Sequence, residues 1–281
     1  MSSVAVKEDN ALKVSRANCA KNTVVDVKGC SIGGEEIVVI AGPCAIENEE
    51  VLKETAFKVR ALGATILRGG AFKPRTSPYS FQGLGVKGLE ILAKVGESLN
   101  MPIITEVMDT EEVSLVADYA DVLQIGARNM HNFSLLKKLG QLNKPVVLKR
   151  GLAATIEEWL YAAEYILAGG NSQVILCERG IRTAETWTRN TLDLAAVALV
   201  KDVSHLPILV DPSHATGVRS LVTPMAKAAI SAGADGLMVE VHPEPEKAWS
   251  DGEQSLTPND FNHLINEIKP VVKASGRRLS L

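Results

Sequence analysis

The stretch Arg68-Gly69-Gly70-Ala71-Phe72-Lys73-Pro74-Arg75-Thr76-Ser77 concentrates groups that hold oxyanions. Its glycines let the main chain approach a ligand closely. Its guanidinium, ammonium and hydroxyl groups supply the donors that phosphate or carboxylate oxygens need. A solvated basic loop is the plain alternative. Further along, Arg128, Lys149 and Arg179 recur in comparable settings, so together with Arg68, Lys73 and Arg75 they suggest one ring of cations for a strongly anionic small substrate, or two of them. A second set, Cys44, His214 and Glu240, with Asp251 as a further oxygen donor, offers a thiolate, an imidazole and carboxylates. That mixture suits one divalent ion such as Mn²⁺, Fe²⁺, Co²⁺ or Zn²⁺, and suits Mg²⁺ less well. His242 lies two residues beyond Glu240 on the same strand face, so spacing leaves open which of them binds metal. Lys149 and Arg150 face opposite ways, so one of the two enters the site. Cys177 reads as a buried apolar residue, and Trp159, Trp187 and Trp249 read as packing residues.

The elements that must position these groups follow a repeating pattern. Apolar, β-rich runs occupy 36–41, 64–67, 102–107, 121–125, 145–148, 173–177, 207–210 and 236–241. Between them lie segments with apolar residues three and four apart, among them 51–62, 111–119, 156–167 and 191–200. A last helix over 259–274 follows Thr257-Pro258 as cap and first-turn proline. Strands that are continuously hydrophobic and alternate with helices imply a parallel sheet covered on both faces. Eight such units imply a closed (β/α)8 TIM barrel. The alternative, an open doubly wound sheet, lacks the expected G-x-G-x-x-G after its first strand. Residues 1 to about 22, polar and weakly patterned, are read as a flexible arm, 24–32 as a β-hairpin within the 1–35 N-terminal segment, and residues 36–281 as the catalytic barrel.

In such barrels chemistry gathers at the C-terminal strand ends. Read in order, those ends carry Cys44, Arg68 with Lys73, Glu106, Arg128, Lys149, Arg179, His214 and Glu240. Every strand thus ends in a residue capable of chemistry, which solvation alone does not explain.

Composition narrows the function classes. At 281 residues with 46% hydrophobic and 22% charged side chains, the chain can bury a substantial core. A net charge of −3 argues against a nucleic-acid binder, so the cation ring is local. No apolar run reaches the ~18 residues of a membrane span and no signal-peptide core is present, which points to a cytoplasmic protein. The four cysteines form no C-x-x-C pair, as expected of a reducing compartment. The residues ahead of the first strand are too few for a further domain.

Four motifs in combination resemble the 3-deoxy-D-arabino-heptulosonate 7-phosphate synthase family in its compact branch, over about residues 36–275. They are Gly42-Pro43-Cys44-Ala45, Lys73-Pro74-Arg75-Thr76-Ser77, Gly126-Ala127-Arg128 and Asp211-Pro212-Ser213-His214-Ala215-Thr216-Gly217. The resemblance implies a barrel that condenses phosphoenolpyruvate with erythrose 4-phosphate and releases phosphate, in the first step of the shikimate pathway. It implies metal binding by Cys44, His214, Glu240 and Asp251, and phosphoenolpyruvate binding by Arg68, Lys73, Arg128, Lys149 and Arg179. Arg75, Thr76 and Ser77 would grip the sugar phosphate, Glu106 would sit near the catalytic water, and Lys73 is a candidate proton donor. A homotetramer or homodimer is implied as well. A sister family makes 3-deoxy-D-manno-octulosonate 8-phosphate from arabinose 5-phosphate, with Asn-Arg-Ser-Ser where this chain has Pro-Arg-Thr-Ser, which favours the four-carbon sugar. Two further alternatives are a Schiff-base aldolase acting through Lys149 and a non-catalytic phosphate-binding barrel.

Overall fold

The computed structural model describes residues 12–75 and 77–280. In chain order its elements are β1 (Val25–Val27), β2 (Cys30–Ile32), β3 (Glu36–Gly42), α1 (Glu49–Ala61), β4 (Ile66–Arg68), α2 (Val86–Ser98), β5 (Ile103–Glu106), α3 (Val113–Tyr119), β6 (Val122–Ile125) and α4 (Phe133–Gly140). They continue with β7 (Val146–Lys149), α5 (Ile156–Ala168), β8 (Val174–Glu178), α6 (Leu194–Val203), β9 (Ile208–Val210), α7 (Pro212–Thr216), α8 (Arg219–Ser231), β10 (Gly236–Glu240), α9 (Pro258–Ala274) and β11 (Arg278–Leu279). Strands β3 to β10 pair in sequence, all parallel, and β10 returns to β3 in a register running from Gly236 opposite Val38 to Glu240 opposite Gly42. The ring is therefore closed. It is the (β/α)8 barrel that the alternation of apolar runs and helical segments implies.

Two apolar layers hold it. Side chains on one face of the strands, such as Val39, Leu67, Leu123 and Leu148, pack outward against the helices. Those on the other face, including Val38, Ile104, Val147 and Ile175, fill the barrel interior. The β1–β2 hairpin adds Val25, Val27 and Ile32 to that interior cluster, each at most 2% exposed. These partners lie in the first halves of their strands, so the hairpin closes the end of the barrel opposite the strand C-termini. Its turn falls on Lys28 (φ +50) and Gly29 (φ +89), the pair of left-handed residues that suits the right-handed twist of a two-residue hairpin.

Helix starts follow local capping chemistry. Thr155 with Glu158, and Thr257 with Asp260, each form a reciprocal capping box, and Pro258 occupies the first turn of α9 as expected. Helix α6 begins at Leu194 rather than near residue 191. Asp193 accepts the Ala196 N–H at 3.0 Å, while Thr191 bridges back to Ile181. Strand β11 is absent from the sequence-based reading. It lies outside the ring, parallel to the start of β3, where Arg277 donates to the carbonyls of Gly34 at 2.7 Å, Ala234 at 3.0 Å and Glu36 at 3.1 Å. Among the described residues, no helix is long and apolar enough to cross a membrane.

Candidate active site

Asp211-Pro212-Ser213-His214 folds as the single helical turn α7, and that turn places the imidazole. Asp211 is the N-cap, accepting the His214 N–H at 2.9 Å through Oδ1, and Pro212 supplies the fixed φ of the first position. Gly217, at φ +66, ends the turn in the left-handed conformation. The other Asp211 oxygen lies 2.7 Å from His214 Nδ1 and 2.6 Å from Lys149 Nζ. Ser213 Oγ accepts the Glu240 N–H at 3.1 Å, which ties α7 to the end of β10. Burial works against an ionised Asp211, yet His214 and Lys149 beside it hold the carboxyl well below the usual carboxylate range. Burial pushes His214 down despite Asp211 and Glu240, so the ring is neutral near pH 7. Nδ1–H then donates to Asp211 and Nε2 is left as an acceptor.

That acceptor faces Glu240 Oε1 at 3.2 Å. Glu240 is fully buried, and its oxygens are also reached by Arg68 Nη2 at 3.2 Å and Gln254 Nε2 at 2.5 Å. Cys44 Sγ lies 2.9 Å from Asp251 Oδ2 and 2.9 Å from Lys73 Nζ, whose ammonium also donates to the Cys44 carbonyl at 3.0 Å. Gly70 makes that approach possible, because a Cβ there would stand 2.6 Å from the Cys44 carbonyl oxygen and 2.9 Å from Lys73 Cδ. Burial, helped by the Glu240 charge, pushes the Cys44 thiol up to about 12. Burial likewise opposes an ionised Asp251, but His214, Cys44 and Arg189 keep its carboxyl below the usual range. One donor atom from each of Cys44, His214, Glu240 and Asp251 lies within 4.8 Å of all the others. A neutral imidazole nitrogen facing a carboxylate oxygen, with no proton to share, is the arrangement two ligands adopt around a cation. The donor set fits a borderline divalent ion. Asp251 is held at φ +54, an unusual backbone conformation for a residue other than glycine. His242 is not part of the cluster; its Nε2 faces Glu47 Oε1 at 3.5 Å.

A cavity of about 510 Å³ opens beside this cluster at the C-terminal face of the barrel. Lys73, Arg75, Ser77, Glu106, Arg128, Lys149, Arg179 and His214 all line it. Thr76 lies outside the described residues. Arg68 is buried beneath, bridging Glu240 and, at 3.9 Å, Asp211. Lys149 and Arg150 do point opposite ways. Lys149 enters the barrel, and Arg150 turns outward to Glu178 at 3.0 Å and Asp193 at 2.9 Å. Gly126 makes room for Glu106, since a Cβ there would fall 2.1 Å from Glu106 Oε1. Cations lining the cavity outnumber the acids Glu106 and Asp251, so its field is positive although the chain is net acidic. A larger, more open groove of about 970 Å³ runs along α8 and α9. Its cations Arg219 and Lys227 pair with Glu246 and Glu267, and none of the four clustered donors lines it.

Several members of the site are not apparent from sequence. Arg182 and Arg189 line the cavity from the long β8–α6 connection, and Arg189 Nη2 holds Asp251 Oδ1 at 2.8 Å. The only available signal is that basic residues on a long barrel connection are suspect. Gln254 and the positioning role of Asp211 give none. Cys177 is buried as expected. Of the tryptophans, Trp159 is a core residue, whereas Trp187 is 90% exposed and Trp249 54% exposed, so neither of the latter is a buried packing residue.

Comparison with known proteins agrees with this geometry. The model of a family described as the DAHP synthetase I family matches residues 15–274. The phospho-2-dehydro-3-deoxyheptonate aldolase of Thermotoga maritima is 54% identical over 267 residues, covering 95% of this chain and 79% of that protein. The 2-dehydro-3-deoxyphosphooctonate aldolase of Geobacter sulfurreducens is 31% identical over 268 residues, covering 88% and 97%. Among solved structures, the Thermotoga maritima phospho-2-dehydro-3-deoxyheptonate aldolase superposes with a TM-score of 0.93 at 54% identity, covering 95% of this chain and 78% of that one. A truncated 3-deoxy-D-arabino-heptulosonate 7-phosphate synthase from the same organism gives 0.89 at 50% identity, covering 95% and 98%.

Proposed function

The chain belongs to the DAHP synthetase I family, and on that footing we propose that it condenses phosphoenolpyruvate with erythrose 4-phosphate, giving 3-deoxy-D-arabino-heptulosonate 7-phosphate and inorganic phosphate. It is a 3-deoxy-7-phosphoheptulonate synthase, acting at the first step of the shikimate pathway toward aromatic amino acids. The observation that carries this reading is the cation-lined cavity directly beside the Cys44–His214–Glu240–Asp251 cluster. The Geobacter sulfurreducens relative named for the eight-carbon product is 31% identical, against 54% for the heptonate enzyme.

We assign Cys44, His214, Glu240 and Asp251 as holders of one divalent ion, Mn²⁺, Fe²⁺, Co²⁺ or Zn²⁺, which when bound supplies Lewis acidity toward a carbonyl oxygen. Arg68, Lys73, Arg128, Lys149 and Arg179 are assigned to phosphoenolpyruvate, and Arg75, Thr76 and Ser77 to the phosphate of the sugar. Carbon 3 of the enol phosphate attacks the aldehyde carbon, forming the new C–C bond. We assign Lys73, which lines the cavity beside Cys44, as the donor that protonates the developing alkoxide. Water adds to C2 as that carbon becomes electron-poor, with Glu106 next to it to take the water's proton. The C2 hydroxyl of the phosphohemiketal then loses its proton and becomes the carbonyl of the product as the C2–O bond to phosphate breaks. The phosphate leaves with the bonding pair and takes up that proton, while the cations orient both substrates and stabilise the departing charge. We place the catalysis in residues 36–281, with the 24–32 hairpin as barrel floor and Val14, a buried residue of the expected arm, docked through Glu164 and Ser204, in a cytoplasmic homotetramer or homodimer.

The test is phosphate release with each substrate alone and with both, before and after EDTA. Release should require both substrates, stop with EDTA and return with Mn²⁺. Inactivation by borohydride with substrate present, unaffected by EDTA, would instead identify an imine at Lys149.

A further inference from the structure

Two loops on the open face of the barrel meet through aromatic rings. Phe81, late in the β4–α2 connection, and Trp249, in the β10–α9 connection, stand edge to face with centroids 5.0 Å apart and planes at 83°. Each ring belongs to a backbone tied into the site. The Phe81 carbonyl accepts Arg75 Nε at 3.0 Å, and the adjacent Gln82 carbonyl accepts the Lys73 N–H at 2.9 Å. On the other side, the Trp249 N–H donates to Glu47 Oε1 at 2.7 Å. Glu47 is itself buried, three residues after Cys44, and faces His242. Two residues beyond Trp249 comes Asp251, with its left-handed backbone and its carboxylate against Cys44.

The Trp249 indole is 54% exposed, so burial in a core does not fix it. It is held by Glu47 through the main chain and by Phe81 through the ring. One partner of the ring pair is therefore bonded through its carbonyl to Arg75, and the other lies two residues from Asp251 in the same connection. We infer that Trp249 is a positioning residue which, through Phe81, couples the loop gripping the sugar phosphate to the loop carrying Asp251. The inference rests on the assignment of Arg75 to the sugar phosphate made above. Coupling of this kind is reciprocal: ordering the Arg75 loop steadies Asp251, and ordering Asp251 steadies the Arg75 loop.

The experiment compares Phe81→Ala, Trp249→Ala, Trp249→Phe, the Phe81→Ala/Trp249→Ala double variant and Arg75→Ala in metal-loaded enzyme. An edge-to-face pair corresponds to about a two- to tenfold effect. Each single alanine variant should raise KM for erythrose 4-phosphate by that factor, and by more than it changes KM for phosphoenolpyruvate. The double variant should be no worse than either single one, and Trp249→Phe should restore the wild-type value. Co²⁺ titration of the metal-free protein, followed by its thiolate absorbance, should be weakened by Phe81→Ala, which touches the Asp251 loop through Trp249. Multiplying effects in the double variant, or an unchanged Co²⁺ titration in Phe81→Ala, would overturn the coupling. If Arg75→Ala leaves the sugar KM intact, the loop assignment itself fails. If Arg75→Ala raises that KM while Phe81→Ala and Trp249→Ala do nothing, the assignment stands and the coupling alone falls.

Discussion

Lys73 and Cys44 meet twice, Nζ to the carbonyl oxygen at 3.0 Å and Nζ to Sγ at 2.9 Å. One ammonium thus fixes the backbone of the β3–α1 loop and lies against its thiol. Lys73 is therefore placed both to support a thiolate and to face the cavity. Lys73→Ala should lower kcat by about 10²- to 10⁴-fold, the range for loss of a positioned proton donor. A drop of less than a few-fold in steady-state assays would remove Lys73 from proton transfer.

Metal uptake should release about one proton near pH 7. Burial and Glu240 raise the Cys44 thiol to about 12, so it is protonated at that pH and must lose its proton to act as a ligand. His214 is pushed down and is already neutral, so it has none to give. Apparent metal affinity should then rise about tenfold per pH unit. The same shift has a stability consequence. The raised thiol stabilises the metal-free fold fully below the ordinary value of 9.0 and loses that contribution as pH climbs toward 12. Calorimetric titration in buffers of different ionisation heat counts the protons, and Cys44→Ala should abolish both the release and metal-dependent turnover.

Asp211→Asn tests the hold on His214. Asparagine is also a good helix N-cap, so α7 should remain capped. Its amide NH₂ would face the donors of His214 Nδ1 and Lys149 Nζ, where the carboxylate oxygen now accepts from both. Metal affinity should fall about 10- to 100-fold, as for loss of a partner that orients a metal ligand. Metal titration with an unchanged dissociation constant would show that the ring needs no such orientation.

Gly126→Ala probes Glu106 without touching its chemistry. The backbone at Gly126 has an ordinary φ of −68, so alanine is tolerated there, but the new Cβ would sit 2.1 Å from Glu106 Oε1. The carboxylate must move. We expect kcat to fall toward that of Glu106→Gln while stability changes by less than about 1 kcal/mol. Equal kcat in Gly126→Ala and wild type would mean that the position of Glu106 is immaterial.

Ile32→Ala should do the converse. Ile32 is fully buried in the barrel interior at the end away from the cavity. Its truncation should cost about 2–5 kcal/mol in denaturant unfolding, with both KM values unchanged. A loss of substrate affinity instead would connect the hairpin to the site.

Much of this arrangement is legible in the chain because barrel strands announce themselves. Apolar runs covered on both faces carry most of their polar residues at the open end, so Cys44, Glu106, Lys149, Glu178 with Arg179, and Glu240 stand out at or just beyond the ends of their runs. What is not legible is set by tertiary contact. Glu240 and His242 share a face by pleat alone, and only the turn of the chain after β10, which carries His242 to Glu47, separates them. Arg182 and Arg189 belong to a connection without periodicity, folded by the bridge of Ile181 to Thr191 and by Arg189 and Asn190 bonding back to Thr216 and Ala215. Strand β11 is too short to produce an alternation. The exposure of Trp249 depends on a loop pinned by tertiary contact, its backbone N–H donating to Glu47.

The seam of the barrel lies between β3 and β10, clamped from outside by Arg277 and β11. During synthesis β3 emerges long before the strand that closes against it. One edge of an apolar strand must therefore wait, unpaired, until residues 236–279 have left the ribosome. An unpaired apolar edge is a template for association with other chains. Slow translation of the final third should thus lengthen the interval in which nascent chains are prone to clump, and a chaperone that shields β3 would act at the stage where this fold is most vulnerable.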